Sequence, residues 1–143
     1  HFSKCQYPKA KSYFKDALKI YKQTVGVQHP ETAQAFLNLG NVYKKEGDYD
    51  RAEVYHNKAL NIRKHLFGED HPLVATSYQA LGEVYMQKLR MREAENSLSR
   101  ALKIRRQTLS DTHPDLCISI YCMACLYSTK NLFEEAENLF IQK

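Results

Sequence analysis

The dipeptide His-Pro occurs at His29-Pro30, His71-Pro72 and His113-Pro114, with 42 residues from each pair to the next. A fixed interval of this size marks a repeat array, in which each unit buries its apolar faces on its neighbours and not in one central core. Registered on the period, the positions that stay alike are Tyr7, Tyr49, Met91 and Phe133; Ala10, Ala52, Ala94 and Ala136; Ala17, Ala59 and Ala101; Leu18, Leu60 and Leu102; and Ile20, Ile62 and Ile104. A second set recurs upstream: Leu39, Leu81 and Met123; Gly40, Gly82 and Ala124; Val42, Val84 and Leu126; and Tyr43, Tyr85 and Tyr127.

Between Pro30 and Glu46, the residues Ala33, Phe36, Leu37, Leu39, Gly40, Val42 and Tyr43 follow one another at three- and four-residue steps, which predicts a helix, here called A. Proline suits the first helical position because the N–H it lacks would be unpaired there, and the preceding histidine is expected to hydrogen-bond the helix start. Gly47-Asp48 breaks the chain, and a helix B from about Tyr49 to Leu66 follows. Its predicted buried stripe is Ala52, Tyr55, His56, Ala59, Leu60 and Ile62, with Arg51, Lys58, Arg63 and Lys64 on other faces. The cycle repeats with weaker, glycine-free turns at Leu89-Arg90 and Lys130-Asn131. Glycine inside a helix costs roughly 1 kcal/mol against alanine, so Gly40 and Gly82 predict close helix approach, with Ala52, Ala59, Ala94 and Ala101 as the small partners.

Composition narrows the function. No apolar run reaches the roughly 18 residues a membrane span needs. Three of the four cysteines, Cys117, Cys122 and Cys125, cluster in one segment, which fits a reducing cytoplasmic setting better than a secreted disulfide framework. Cys122-x-x-Cys125 lies mid-helix without a second ligand pair, so both read as small groove residues, and Cys117, registered with Ala33 and Ala75, reads as core. The histidines of successive His-Pro pairs sit in different connectors, too far apart to share a metal, so no metal and no cofactor is expected. No nucleophile-base pair, phosphate-binding glycine loop or paired carboxylates survive registration, which argues against an enzyme.

The run Leu-Gly-x-x-Tyr, followed by alanines twelve and nineteen residues after the glycine, resembles the tetratricopeptide repeat. Leu39-Gly40, Tyr43, Ala52 and Ala59 carry the resemblance, as do Leu81-Gly82, Tyr85, Ala94 and Ala101, with Met123-Ala124, Tyr127 and Ala136 a less complete copy. The 42-residue unit, longer than the usual 34, and its Gly-x-x-His-Pro connector look like the kinesin light chain and nephrocystin subtype. Phe36, Tyr78 and Ile120 stand where the family has tryptophan, and His56 and Leu98 where its helix B has phenylalanine. The resemblance implies an all-α, right-handed superhelical solenoid of antiparallel helix pairs. Residues 1–28 would be a partial repeat, 29–70 and 71–112 full ones, and 113–143 an incomplete one, the whole an excerpt of a longer chain.

In such proteins the A helices line a concave groove that receives a partner's peptide. Carried over by register, the groove residues are Gln34, Leu37, Asn38, Asn41, Lys44 and Lys45 of the first A helix; Thr76, Gln79, Ala80, Glu83, Met86 and Gln87 of the second; and Ile118, Tyr121, Cys122, Cys125, Ser128 and Thr129 of the third. Asn38 and Asn41 can each donate and accept, which suits clamping an extended backbone, and Lys44 and Lys45 favour an acidic segment. The resemblance implies a non-catalytic protein-binding scaffold or adaptor, cytoplasmic and, in the manner of kinesin light chains, cytoskeleton-associated. A net charge of +5 raises a competing class, an RNA-binding array using Arg92, Arg100, Lys103, Arg105 and Arg106 of the third helix B. Nucleic acid is disfavoured because RNA-reading repeats present the same residue set in every unit, whereas one groove position here runs Asn38, Ala80, Cys122.

Overall fold

The computed structural model describes residues 7–141, without the side chains of Phe133 and residues 135–141. Six helices follow one another: α1 (Tyr7–Thr24), α2 (Pro30–Glu46), α3 (Tyr49–Phe67), α4 (Pro72–Gln87), α5 (Met91–Thr108) and α6 (Pro114–Ile141). Each packs on its successor. The A helices also approach one another, α2 with α4 and α4 with α6, whereas the backbones of the B helices α1, α3 and α5 stay further apart among the described residues. Such an arrangement curves the array with the A helices on its inner side. No described helix is long and apolar enough to cross a membrane.

Every A helix begins in the same way. The Nδ1 atoms of His29, His71 and His113 accept from the backbone N–H groups of Glu31, Leu73 and Asp115 at 3.1, 3.1 and 3.0 Å. The imidazole therefore does what an N-cap carboxylate or hydroxyl usually does, satisfying a donor the first turn leaves free. This geometry needs an unprotonated Nδ1. His29→Ala should cost about 1 kcal/mol of stability and His29→Asn much less, as chemical denaturation of the two variants would show.

The turn from α2 to α3 closes with Gly47 N–H on Lys44 O and Asp48 N–H on Tyr43 O, at a glycine φ of 85°. One period later Leu89 N–H bonds Met86 O and Arg90 N–H bonds Tyr85 O, so the same turn forms with Leu89 forced to φ 61°. That left-handed leucine costs roughly 1–2 kcal/mol. The third turn expected at Lys130-Asn131 does not form: α6 runs unbroken through it to Ile141. Neither residue stops a helix, and α6 stays helical through both.

The intrahelical glycines are close-approach sites, but not against the alanines expected. A Cβ on Gly40 would lie 2.8 Å from His56 Nε2, and one on Gly82 would lie 2.5 Å from Leu98 Cγ. His56 and Leu98 are one period apart, each a large buried side chain laid over a bare helix backbone, while Ala52, Ala59, Ala94 and Ala101, all fully buried, let the helices close in on either side. Tyr43 stacks on Tyr55 at 5.5 Å, and Tyr55 on Phe36 at 6.0 Å.

The unbroken α6 changes what its face does. Ala33 and Ala75 are fully buried beneath the following B helix, but Cys117 is exposed, correcting the core assignment, and Tyr127 is 47% exposed where Tyr43 is buried. No described helix returns to cover that face.

Neighbouring units are also joined by a recurring ion pair: Lys11 with Glu46 at 2.9 Å, Glu53 with Lys88 at 2.8 Å and Glu95 with Lys130 at 2.8 Å. The three occupy one register, with the charges exchanged in the first. Each is part-exposed and stabilises by a few tenths of a kcal/mol.

Candidate functional site

The inner face is built by α2, α4 and α6, and the residues expected there differ in what the structure does with them. Asn41, Lys45, Gln87 and Tyr121 are exposed, Tyr121 at 70%, and Ile118 and Ser128 are exposed beside it. Gln34 and Asn38 hold each other, the Gln34 amide donating to Asn38 Oδ1 at 3.0 Å, and Asn38 keeps its own amide donors. Thr76, Ala80, Met86, Cys122, Cys125 and Thr129 are half-buried, the two threonines donating to Pro72 O and Cys125 O within their own helices. The Gln87 amide oxygen accepts from Tyr49 Oη at 3.5 Å.

The remaining residues are spent on the fold. Leu37 is buried with Leu18, Ala33 and Leu39, so it is core and not groove. Gln79 is 5% exposed and makes hydrogen bonds through both ends of its amide, which removes it from ligand contact. Lys44 meets Glu83 at 2.6 Å, so the two groove charges neutralise each other, and exposed Lys45 has no ion-pair partner among the described residues.

Sequence reasoning missed the arginines beneath this face. Arg63, 2% exposed, donates through Nη1 to Leu73 O and Ser77 Oγ, both at 3.2 Å, and through Nη2 to Gln34 Oε1 at 2.8 Å. One period on, Arg105, 4% exposed, donates through Nη1 to Asp115 O at 3.0 Å, Ser119 Oγ at 2.9 Å and Gln79 Oε1 at 3.4 Å. Both had been placed on outward faces. Burial pulls both guanidiniums below their ordinary pKa, and neither has a carboxylate within ion-pair distance among the described residues. The signal was available: an arginine recurs at one register with a serine recurring fourteen residues later, Ser77 then Ser119.

These bonds join into a network running from Lys44 through Glu83 to the Gln79 amide, and from Gln79 to Arg105 and Ser119. Gln79 Nε2 also lies 3.1 Å from Cys122 Sγ, and burial pushes the Cys122 thiol up, keeping it protonated. No group of three or more His, Cys, Asp or Glu side chains able to hold a metal occurs among the described residues. The polar network ties α4 to α2, α5 and α6 beneath the exposed edge.

Stacked helical hairpins with an inner surface of this kind define a repeat-built interaction module. The tetratricopeptide repeat profile matches residues 1–65, 31–106 and 80–142, and the chain belongs to this family. It is similar to BtubC (BKLC) from P. vanneervenii at 27% identity and a TM-score of 0.82, over 93% of this chain and 53% of that one. Crystal structures of a candidate kinesin light chain from Podosopora anserina with nearly identical TPR-like repeats match at 23% identity, over 96% of this chain and 65% of that one. Their TM-scores are 0.81 and 0.71. The chain therefore spans about half to two thirds of the solved structures it resembles. No curated protein matches it.

Proposed function

We propose that the inner face docks an extended peptide segment of a protein partner, within a scaffold or adaptor of the kinesin light chain kind. Tetratricopeptide arrays are in general protein-interaction modules, and the observation supporting a ligand here is the division of labour across the groove. Asn38 and Asn41 offer backbone-binding amides, and Asn41, Lys45 and Gln87 stand exposed along the same face. An acidic preference rests on Lys45, since Lys44 is held by Glu83. Burial of Arg105 takes the central cation from the basic helix face on which the RNA reading relied.

A phage-displayed library of random linear peptides supplies the probe. A selected peptide should lose affinity on the order of tenfold with the Asn38→Ala, Asn41→Ala pair, as two lost hydrogen bonds imply, and by a smaller factor with Lys45→Gln. The thermal midpoint should hardly move, because these side chains support no core contact. Unchanged affinity in both variants overturns the inner-face assignment.

A further inference from the structure

On the outer side, α1 and α3 flank a crevice of about 270 Å³ lined by Lys15, Lys19 and Lys22 of α1, Lys58 of α3, and Leu18, Phe36 and Tyr55. Phe36 and Tyr55 form an aromatic floor, and the Lys22 and Lys58 ammonium groups stand over it. Lys22 and Lys58 Nζ lie 5.8 and 5.5 Å from the Phe36 ring centre, Lys58 also 5.5 Å from Tyr55, and Lys15 6.0 Å from Tyr43. None of these four lysines has an ion-pair partner among the described residues. By contrast, the neighbouring cations are answered: Lys11 by Glu46 and Arg51 by Asp48.

The repeat supplies its own control. One period on, the crevice between α3 and α5 has Asn57 and Asn61 in place of Lys15 and Lys19, and Lys64 and Arg100 in the positions of Lys22 and Lys58 (the latter over Tyr78 as Lys58 is over Phe36). There Glu69 meets both cations, Lys64 at 3.3 Å and Arg100 at 3.7 Å. The residue at the register of Glu69 in the first crevice is Val27, 43% exposed. The first crevice has thus gained two lysines and lost the carboxylate that neutralises its sibling. Four lysines line this one small cleft with no ion-paired carboxylate among the described residues, and an anion carrying several charges offsets their mutual repulsion.

We propose that this crevice binds a compact anion bearing several phosphate groups, either free in solution, as in an inositol polyphosphate, or as a phosphorylated lipid headgroup. Its volume suits a phosphorylated ring, and lysine presents point charges that accept any arrangement of phosphate oxygens. The site lies on the opposite side of the array from the peptide groove, so the two can be tested apart.

Calorimetric titration with inositol hexakisphosphate should give saturable binding to the wild-type chain. Val27→Glu, which removes no lysine and installs the sibling's counter-charge beside Lys22, should weaken it at least tenfold, and Lys22→Gln with Lys58→Gln should do the same. Lys103→Gln with Arg106→Gln, two exposed cations on α5, should change affinity less than twofold. All of these positions are solvent-facing, and unchanged circular dichroism would verify folding. Absence of saturable binding, or equal losses in the α5 control and Val27→Glu, overturns the site in favour of diffuse charge. Cosedimentation with phosphatidylcholine vesicles, with and without phosphatidylinositol bisphosphate, then assigns the source: vesicle capture displaced by inositol hexakisphosphate indicates the headgroup, and binding of the free anion alone indicates a soluble ligand.

Discussion

Gly82→Leu should lower the thermal midpoint on the order of 10 °C, the shift expected for about 3 kcal/mol of overpacking in a chain of this size. Even the first atom of a side chain has no room: a Cβ on Gly82 would sit 2.5 Å from Leu98 Cγ and Cδ2 and 3.4 Å from the Leu98 backbone nitrogen. Leu98 is fully buried and cannot swing out to solvent. Alanine at position 82 would recover roughly 1 kcal/mol of helix propensity and so bring a smaller loss. The decisive measurement is the coupling: in a Leu98→Ala background, Gly82→Ala should become neutral or stabilising. A penalty that persists there would show that the constraint lies elsewhere than in the Gly82–Leu98 contact.

The second large effect is expected on acidification, and it comes from His56. This side chain is fully buried, and neither ring nitrogen has a hydrogen-bond partner. Desolvation, aided by the nearby Lys44 and Arg63 charges and opposed by Glu83, brings its pKa down to about 4 from an ordinary 6.5. The folded state thus holds the imidazole neutral, while the unfolded chain takes up a proton as the pH falls through 6.5. Stability from this group is fully present above that pH and is lost progressively towards pH 4, by about 3 kcal/mol in all. The chain contains the control, since Leu98 occupies the same register in the next unit. His56→Leu should remove this slope from the pH dependence of urea unfolding and, by deleting a buried unsatisfied group, raise stability at neutral pH by about 1–3 kcal/mol. Parallel pH profiles for the variant and the parent would refute the assignment.

The ends of α2 were legible because proline and glycine act locally: Pro30 starts it, and the left-handed Gly47 ends it. The continuity of α6 was not, since Leu89-Arg90 and Lys130-Asn131 look alike in lacking glycine, yet the first pair turns and the second stays helical. What separates them is not carried by the residues at the turn. For the candidate site, register found the exposed edge, Asn41, Lys45 and Tyr121, but misassigned Leu37 and Gln79. Those two share a register with Tyr121, and whether that position faces outward depends on what packs against each helix, which periodicity does not encode. Arg63 and Arg105 were misread for a related reason. A charge on a helix is ordinarily solvated, and only the carbonyl and serine acceptors of the following A helix make burial acceptable here.

The exchanged polarity of the Lys11–Glu46 pair relative to Glu53–Lys88 and Glu95–Lys130 bears on how the units find their order. Near-identical repeats can associate out of sequence, with a helix skipping its neighbour and pairing with the next copy. If α1 skipped α2 and seated on α4, Lys11 would meet Lys88, ammonium against ammonium, where the proper neighbour offers Glu46. A contact of small worth in the finished array thus becomes an address label, penalising one wrong assembly while leaving the right one almost unchanged in energy.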